Sequence, residues 1–212
     1  MADFTKDELI EQFKGNKILK YSTYSVGVIV AIALGYLGYK NFILEPKEKA
    51  SREEIAIGIN LLEQDSTNLA IEEFEYLAQE YKNYTGGKIS SYALGNLYFE
   101  QGDYESALAE LKKVKLKDTY IMTLAIGTQG DCYSELGEYQ EAVKMYVQAA
   151  QRVDNDVTSP LFYFKAGLNA EEAGDYAKAA EFYKIIKDQY STFASQKNID
   201  KYIIRAENMV VG

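Results

Sequence analysis

LGNLYFEQGDYESAL, running from Leu94 to Leu108, is the stretch whose reading decides the fold. Leu94, Gly95 and Tyr98 stand at helical spacing, Gly102-Asp103-Tyr104 interrupts, and Ala107 and Leu111 open a second apolar stripe. Helical spacing on both sides of a glycine spells two helices joined by a tight turn and folded back on each other. The same wording returns as QGDCYSELGEYQEAV from Gln129 to Val143 and as AGLNAEEAGDYAKAA from Ala166 to Ala180. Gly102, Gly137 and Gly174 fall at matching places, each followed by an acid and a tyrosine.

The period settles which repeat this is. Gly137 lies 35 residues beyond Gly102, and Gly174 lies 37 beyond Gly137. That is close to the ~34 of a tetratricopeptide unit and far from leucine-rich or propeller periods. Each unit resembles the tetratricopeptide pattern: a first-helix glycine (Gly95, Gly130, Gly167), then Tyr98, Tyr133 or Ala170, the turn glycine, and a small second-helix residue (Ala107, Ala142, Ala179). The early tryptophan and final proline that family members often carry are absent from these units. Small residues let the two helices approach closely, and a turn glycine adopts the left-handed conformation at little cost.

Upstream, Ile55, Gly58, Ile59 and Leu62, then Ala70, Ile71, Phe74 and Leu77, fit a degenerate first repeat whose turn, Asp65-Ser66-Thr67-Asn68, has no glycine. Breaks are expected at Thr85-Gly86-Gly87, at Lys117-Asp118-Thr119 and from Asn155 to Pro160. From Phe193 to Met209 one amphipathic helix is expected, with Ile199, Tyr202, Ile203, Ala206 and Met209 inward and Lys197, Asp200, Lys201, Arg205 and Glu207 outward. It reads as the polar-faced cap that a solenoid needs. The fold class is therefore all-α, with residues 45–212 forming about four helical hairpins plus a cap.

With 212 residues, 47% of them hydrophobic, the chain is too apolar for disorder. A net charge of -9 repels phosphates and argues against nucleic-acid binding. There is no histidine and one cysteine, Cys132, so the chain itself assembles no disulfide framework, zinc cluster or histidine relay, and no cofactor or metal is expected. Cys132, mid-helix beside a turn, is expected to pack inside as a small hydrophobe. Glu63, Glu100, Glu135 and Glu172 recur near each turn but lack a paired base or phosphate loop, so catalysis is not supported.

Residues 1–20 read as a charged tail carrying a short amphipathic helix, with Thr5-Lys6-Asp7-Glu8 at capping-box spacing, Leu9, Ile10 and Phe13 on one face, and Gly15-Asn16 as its stop. Residues 21–44 read as a membrane anchor. From Tyr21 to Tyr39 there is no charge, and a helix of that length spans ~28 Å, the thickness of a hydrocarbon core. Tyr21 and Tyr24 at one end and Tyr36 and Tyr39 at the other resemble interfacial belts. The run exceeds an ordinary signal h-region, and no small-x-small site follows it before Glu45-Pro46-Lys47. Lysines and arginines flanking the run are tied in number, but Lys14, Lys17 and Lys20 crowd the N-terminal boundary, which places the repeats across the membrane from the tail. Gly27, Ala31 and Gly35 recur every fourth residue, the small-xxx-small arrangement that lets membrane helices touch.

The first helices of stacked hairpins should line a concave wall. Its candidate residues are Tyr92, Asn96 and Phe99 in the second repeat, Asp131, Ser134 and Glu135 in the third, and Phe164, Leu168 and Glu171 in the fourth. Aromatic and acidic side chains together suit a partner segment with apolar residues and some positive charge. The competing reading buries Phe164 and Leu168 under a neighbouring hairpin and leaves the acids as a solvated face. Tail, anchor and acidic repeats together resemble the YfgM family, tetratricopeptide ancillary subunits of the bacterial SecYEG translocon. The resemblance covers the architecture of the whole chain and no residue-level site. It implies a single-pass inner-membrane protein with a periplasmic repeat domain that partners with the membrane-anchored chaperone PpiD and helps handle emerging polypeptides. A scaffold of another envelope machine, or an organelle import receptor with cytosolic repeats, is the alternative.

Overall fold

A computed structural model describes Glu11 and residues 15–211, among which every regular element is helical. The expected capping box Thr5-Lys6-Asp7-Glu8 and the stripe Leu9, Ile10, Phe13 lie outside the described residues. The chain divides into two compact units at Ala50 and Ser51.

In the first unit, Asn16 interrupts the helix, and its side-chain oxygen accepts a 3.0 Å hydrogen bond from the Ile18 N–H, capping the helix Lys17–Tyr39. A π-helical turn, Lys40–Leu44, follows and leads into Glu45–Glu63. Val26, Ile29, Ile32 and Leu34 are all exposed, as is every residue of the small stripe Gly27, Ala31 and Gly35. An exposed apolar surface of this extent is what a bilayer would cover. Among the described residues, one helix is long and apolar enough to cross a membrane.

The second unit contains the repeats. Hairpin 1 pairs the part of Glu45–Glu63 from Ser51 onward with Thr67–Glu80, hairpin 2 Thr85–Glu100 with Tyr104–Leu111, hairpin 3 Thr119–Glu135 with Tyr139–Arg152, and hairpin 4 Thr158–Glu172 with Tyr176–Gln189. Gly102, Gly137 and Gly174 adopt φ of 80°, 75° and 78°, and in each turn the following N–H reaches back to a carbonyl five residues earlier, Asp103 to Tyr98 at 2.9 Å, Glu138 to Tyr133 at 2.8 Å and Asp175 to Ala170 at 2.8 Å. These are Schellman closures, which satisfy carbonyls the helix end leaves open. Hairpin 1 closes the same way without glycine: Asp65 takes φ 56° and Ser66 N–H bonds Leu61 O at 2.9 Å. Aspartate tolerates that region better than most residues. After two of the turns an aspartate caps the next helix, Asp103 accepting from Ser106 N–H and Asp175 from Lys178 N–H, both at 3.1 Å.

The first-helix glycine marks where the helices of a pair touch. A Cβ on Gly95 would stand 2.5 Å from Leu111, on Gly130 2.7 Å from the Tyr146 ring, and on Gly167 2.4 Å from the Tyr183 ring. Gly58 meets Phe74 in the same way, at 2.5 Å. The partner always lies sixteen residues later, so each hairpin is a glycine socket filled by one large side chain. Phe74, Leu111 and Tyr183 are almost fully buried as a result.

Three boundaries differ from the sequence reading. Gly86 and Gly87 do not break the chain but sit in the first turn of hairpin 2, where added Cβ atoms would strike the carbonyls of Ser51 and Tyr81 at 2.0 and 2.2 Å. Pro160 likewise lies in the first turn of Thr158–Glu172, where its missing N–H costs no helical bond. The cap is two helices, Ser191–Lys197 and Ile199–Val211, because Asn198 turns left-handed at φ 51°. Ile199, Ile203 and Ala206 are buried as expected, whereas Met209 is 53% exposed and not inward. Salt bridges Lys184–Glu207 at 2.6 Å and Lys187–Asp200 at 2.7 Å run from hairpin 4 to the cap.

Candidate partner-binding face

The first helices of hairpins 2, 3 and 4 stand side by side, tied by the Thr128 hydroxyl to Asn96 Oδ1 at 3.4 Å and by Lys165 Nζ to Asp131 at 2.6 Å. Tyr92 is half-buried and its carbonyl accepts the Asn96 amide at 2.8 Å. Phe99, also half-buried, leans on the Tyr104 ring with centroids 5.5 Å apart. Ser134 and Leu168 are half-buried and Glu135 is exposed.

Three of the nine expected wall residues are otherwise engaged. Phe164 is 9% exposed and packs on Tyr183, Phe193 and Tyr202, the last edge-on at 4.9 Å, so it belongs to the core beneath the cap and not to an open wall. Aromatic spacing on a helix could not distinguish the two, because the covering helices come from later in the chain. Asp131 accepts the Tyr146 hydroxyl and the Lys165 ammonium, both at 2.6 Å, and joins three helices. Burial and that carboxylate push the Tyr146 hydroxyl far above the usual phenol range. Glu171 accepts from Arg205 of the cap at 2.5 Å. Both acids are thus neutralised within the fold.

The carboxylates left open are others. Glu63, Glu100, Glu135 and Glu172 are the last residues of the four first helices, all exposed, and no basic residue occupies the last turn of any of those helices. None of the four carries an ion pair or hydrogen bond among the described residues. A carboxylate at a helix C-terminus faces the negative end of the macrodipole, at a cost of about 0.3–1 kcal/mol each. At the other end of the same helices Ile89 and Leu124 are half-buried and pack against the core, while Leu161 is 37% exposed. The recurrence of the glutamates is visible in sequence; their openness is not, since it depends on which cations Asp131 and Glu171 take up.

A family profile for a tetratricopeptide repeat-like domain matches residues 50–168, and one for a tetratricopeptide repeat matches residues 162–192. Protein FLUORESCENT IN BLUE LIGHT, chloroplastic, of Arabidopsis thaliana is 28% identical over 146 residues, 65% of this chain; the chain spans 46% of that relative's length. A crystal structure of MamA superposes with a TM-score of 0.54 at 21% identity, covering 72% of this chain and 94% of the other. The kinesin light chain-like repeats of Podosopora anserina superpose with a TM-score of 0.55 at 15% identity, covering 76% and 87%. These structures bear on the fold.

Proposed function

The chain belongs to the tetratricopeptide repeat-like family, and on that premise we propose that it is a membrane-anchored adaptor which binds other proteins through its repeats and performs no chemistry of its own. Repeats of this family are protein-interaction scaffolds, and the observation that carries the reading is the face of the first helices, with the exposed and unpaired carboxylates of Glu100, Glu135 and Glu172. The exposed apolar helix Lys17–Tyr39 supports the anchor, with Gly27, Ala31 and Gly35 as a helix-packing stripe that enlarging Gly27 or Gly35 to leucine would disturb.

The assembly it serves, in this reading, is the SecYEG translocon of the bacterial inner membrane, where the repeats work in the periplasm beside the chaperone PpiD on secreted polypeptides. Support comes from the order of charged tail, single apolar helix and acidic repeats along the chain. Purification of the full chain in mild detergent, with identification of co-purifying proteins, tests it. Translocon components are the expected companions; barrel-assembly or division proteins would discard this assembly in favour of another envelope scaffold. The chloroplast relative favours one further reading, an organelle receptor with its repeats in the cytosol, which import components among the companions would establish.

A further inference from the structure

We infer that the end of the repeats opposite the glycine turns is a docking surface for the headgroups of anionic lipids, centred on Lys82, Lys115, Lys117 and Tyr120 at the junction of hairpins 2 and 3. The inference rests on the anchored reading of the chain and says which surface of the repeats meets the bilayer.

The local chain path places the cations. From Leu111 to Tyr120 the sequence is LKKVKLKDTY, four lysines and one acid in a protein of net charge -9. Between the helices Tyr104–Leu111 and Thr119–Glu135 the side chains divide. Val114 is 2% exposed and Leu116 half-buried, both packed in the core, while Lys115 and Lys117 are exposed. The Leu116 N–H, 3.3 Å from Met122 Sδ, pins that arrangement. Lys112 lies over the Tyr133 ring at 5.2 Å and Lys113 pairs with Glu110 at 2.5 Å. Lys115, Lys117 and the exposed Lys82 of the preceding loop take no ion pair or hydrogen bond among the described residues. Asp118 is occupied in capping the next helix, accepting the Ile121 N–H at 2.9 Å. Open acids at this end, Glu80, Asp156 and Asp188, are spread along the row of hairpins, whereas the lysines gather at one junction.

Apolar groups stand out beside them. Tyr120 is 66% exposed, Val157 74% and Val153 38%. Tyr120 and Val153 line one small cavity of about 70 Å³ together with Asn155. Asn155 braces the loop: its Oδ1 accepts the Val157 and Thr158 N–H groups at 2.9 and 2.8 Å, and its Nδ2 donates to Val153 O at 2.9 Å. Val157 is therefore held outward by a fixed loop. A tyrosine, two valines and lysines with long stems suit the interfacial zone, where apolar bodies sink among headgroups and ammonium groups meet phosphates.

Charge polarity and the tether select lipid as the occupant. The four turns, residues 63–68, 100–106, 135–141 and 172–177, hold only acids among their charged residues. They lie at the far end of first helices such as Thr85–Glu100, 16 residues or ~24 Å away. With a screening length of about 8 Å at physiological salt, an anionic surface at the lysine end meets the local positive charge and not the distant acids. In the anchored reading the tether enters at this same end, for the Gly86 N–H, in the first turn of hairpin 2, donates to Ser51 Oγ at 3.2 Å. Leu44, the last apolar residue before the charged spacer, precedes Ser51 by seven residues, a reach of about 25 Å even at full extension. The lysines are thus tethered within reach of headgroups, where each cation gains about fivefold from an anionic surface.

The test is depth-dependent quenching on the full chain in vesicles. With Cys132 replaced by alanine, an environment-sensitive fluorophore is placed at exposed Thr119→Cys, and in a second chain at exposed Glu138→Cys in a turn. The vesicles are phosphatidylcholine alone or mixed with phosphatidylglycerol, and carry spin-labelled acyl chains; both leaflets match, so the direction of insertion is immaterial. The expected result is quenching at residue 119 in the phosphatidylglycerol vesicles, weaker quenching in phosphatidylcholine, and none at residue 138. Salt of about 1 M, where the screening length falls to about 3 Å, should abolish the difference between the lipids. The triple variant Lys82→Gln, Lys115→Gln, Lys117→Gln should lower the ratio of docked to undocked repeats by on the order of a hundredfold. Its lysines are exposed and unpaired, so its melting temperature should hold, which separates lost docking from lost folding. An open label at residue 119 in the anionic vesicles gives this end to solvent or to an acidic protein and overturns the inference. Quenching that ignores lipid charge, or survives unchanged in the triple variant, overturns it too. Alkaline extraction of the same vesicles reads the anchor separately. A chain that resists extraction while its residue 119 label stays open leaves the anchored reading intact without the dock. An extracted chain whose label is still quenched by anionic vesicles supports the dock and counts against the anchor.

Discussion

Single residues decide how closely each hairpin closes. Gly167 faces the Tyr183 ring at van der Waals limits, whereas Gly174 faces open space but holds φ 78°. Alanine at the two sites should therefore fail for different reasons. Gly167→Ala forces the tyrosine out of its socket and should cost about 1–3 kcal/mol. Gly174→Ala keeps the packing and should cost about 1–2 kcal/mol of backbone strain. Chemical denaturation of both variants checks the order, and a Tyr183→Leu change should relieve the first and leave the second untouched. The turn glycines and the sockets of hairpins 2 to 4 were legible because glycine is chemically distinctive. Asp65 was not, since any tolerant polar residue can serve there once the hairpin's packing holds the turn.

Cys132, fully buried, illustrates a second residue-scale effect. Burial, reinforced by the neighbouring Asp131 carboxylate, pushes its thiol up to about 12. A raised folded-state value favours the protonated thiol in the fold, so its contribution is complete below the ordinary thiol range and is lost as pH climbs from there toward about 12. Since thiolate is the reactive form, maleimide should label the native chain very slowly at pH 8 and rapidly once denaturant unfolds the repeats. Fast labelling of the native state would contradict the buried placement.

At the scale of elements, the helices carry a cost that their packing does not require. Each first helix ends on an exposed glutamate, against its own dipole. Glu100→Gln together with Glu135→Gln should raise stability by about 0.3–1 kcal/mol per site at low ionic strength, a gain that shrinks in salt and is read as melting temperature at two salt concentrations. The cap shows the opposite balance. Ile199–Val211 brings Ile203, Ala206 and Tyr202 onto Phe164 and Tyr183, and Arg205 onto Glu171. Deleting it should expose those rings and lower the melting temperature of the remaining chain, with loss of solubility on heating. The amphipathic pattern from Phe193 to Met209 located this element in sequence, but its break at Asn198 was hidden, because asparagine enters the left-handed region only where the two short helices need a corner. For the same reason Phe164 read equally well as wall or core: its covering partners, Phe193 and Tyr202, are specified some thirty residues later.

For the whole molecule, on the membrane-anchored reading proposed above, the side on which the repeats work decides which partners they can meet. Equal numbers of Lys and Arg flank the Tyr21 to Tyr39 run, and the choice rests on proximity: Lys14, Lys17 and Lys20 gather at one boundary, while Lys40 alone stands at the other and, in the structure, lies 3.6 Å from the Glu45 carboxylate. One cation at a boundary offers a weaker retention signal than three in series, which in the proposed reading favours a tail kept inside and repeats exported. Replacing Cys132 with alanine and placing a cysteine at exposed Gln148 gives one reporter on the repeats. A membrane-impermeant maleimide should label it in intact bacterial cells with opened outer membranes, without any need to breach the inner one. Adding two lysines just beyond Lys40 and removing Lys17 and Lys20 should reverse the outcome, so that labelling then requires permeabilised inner membranes. Protection of the reporter in the unmodified chain would place the repeats in the cytosol and remove periplasmic polypeptides from the ligands this face could hold.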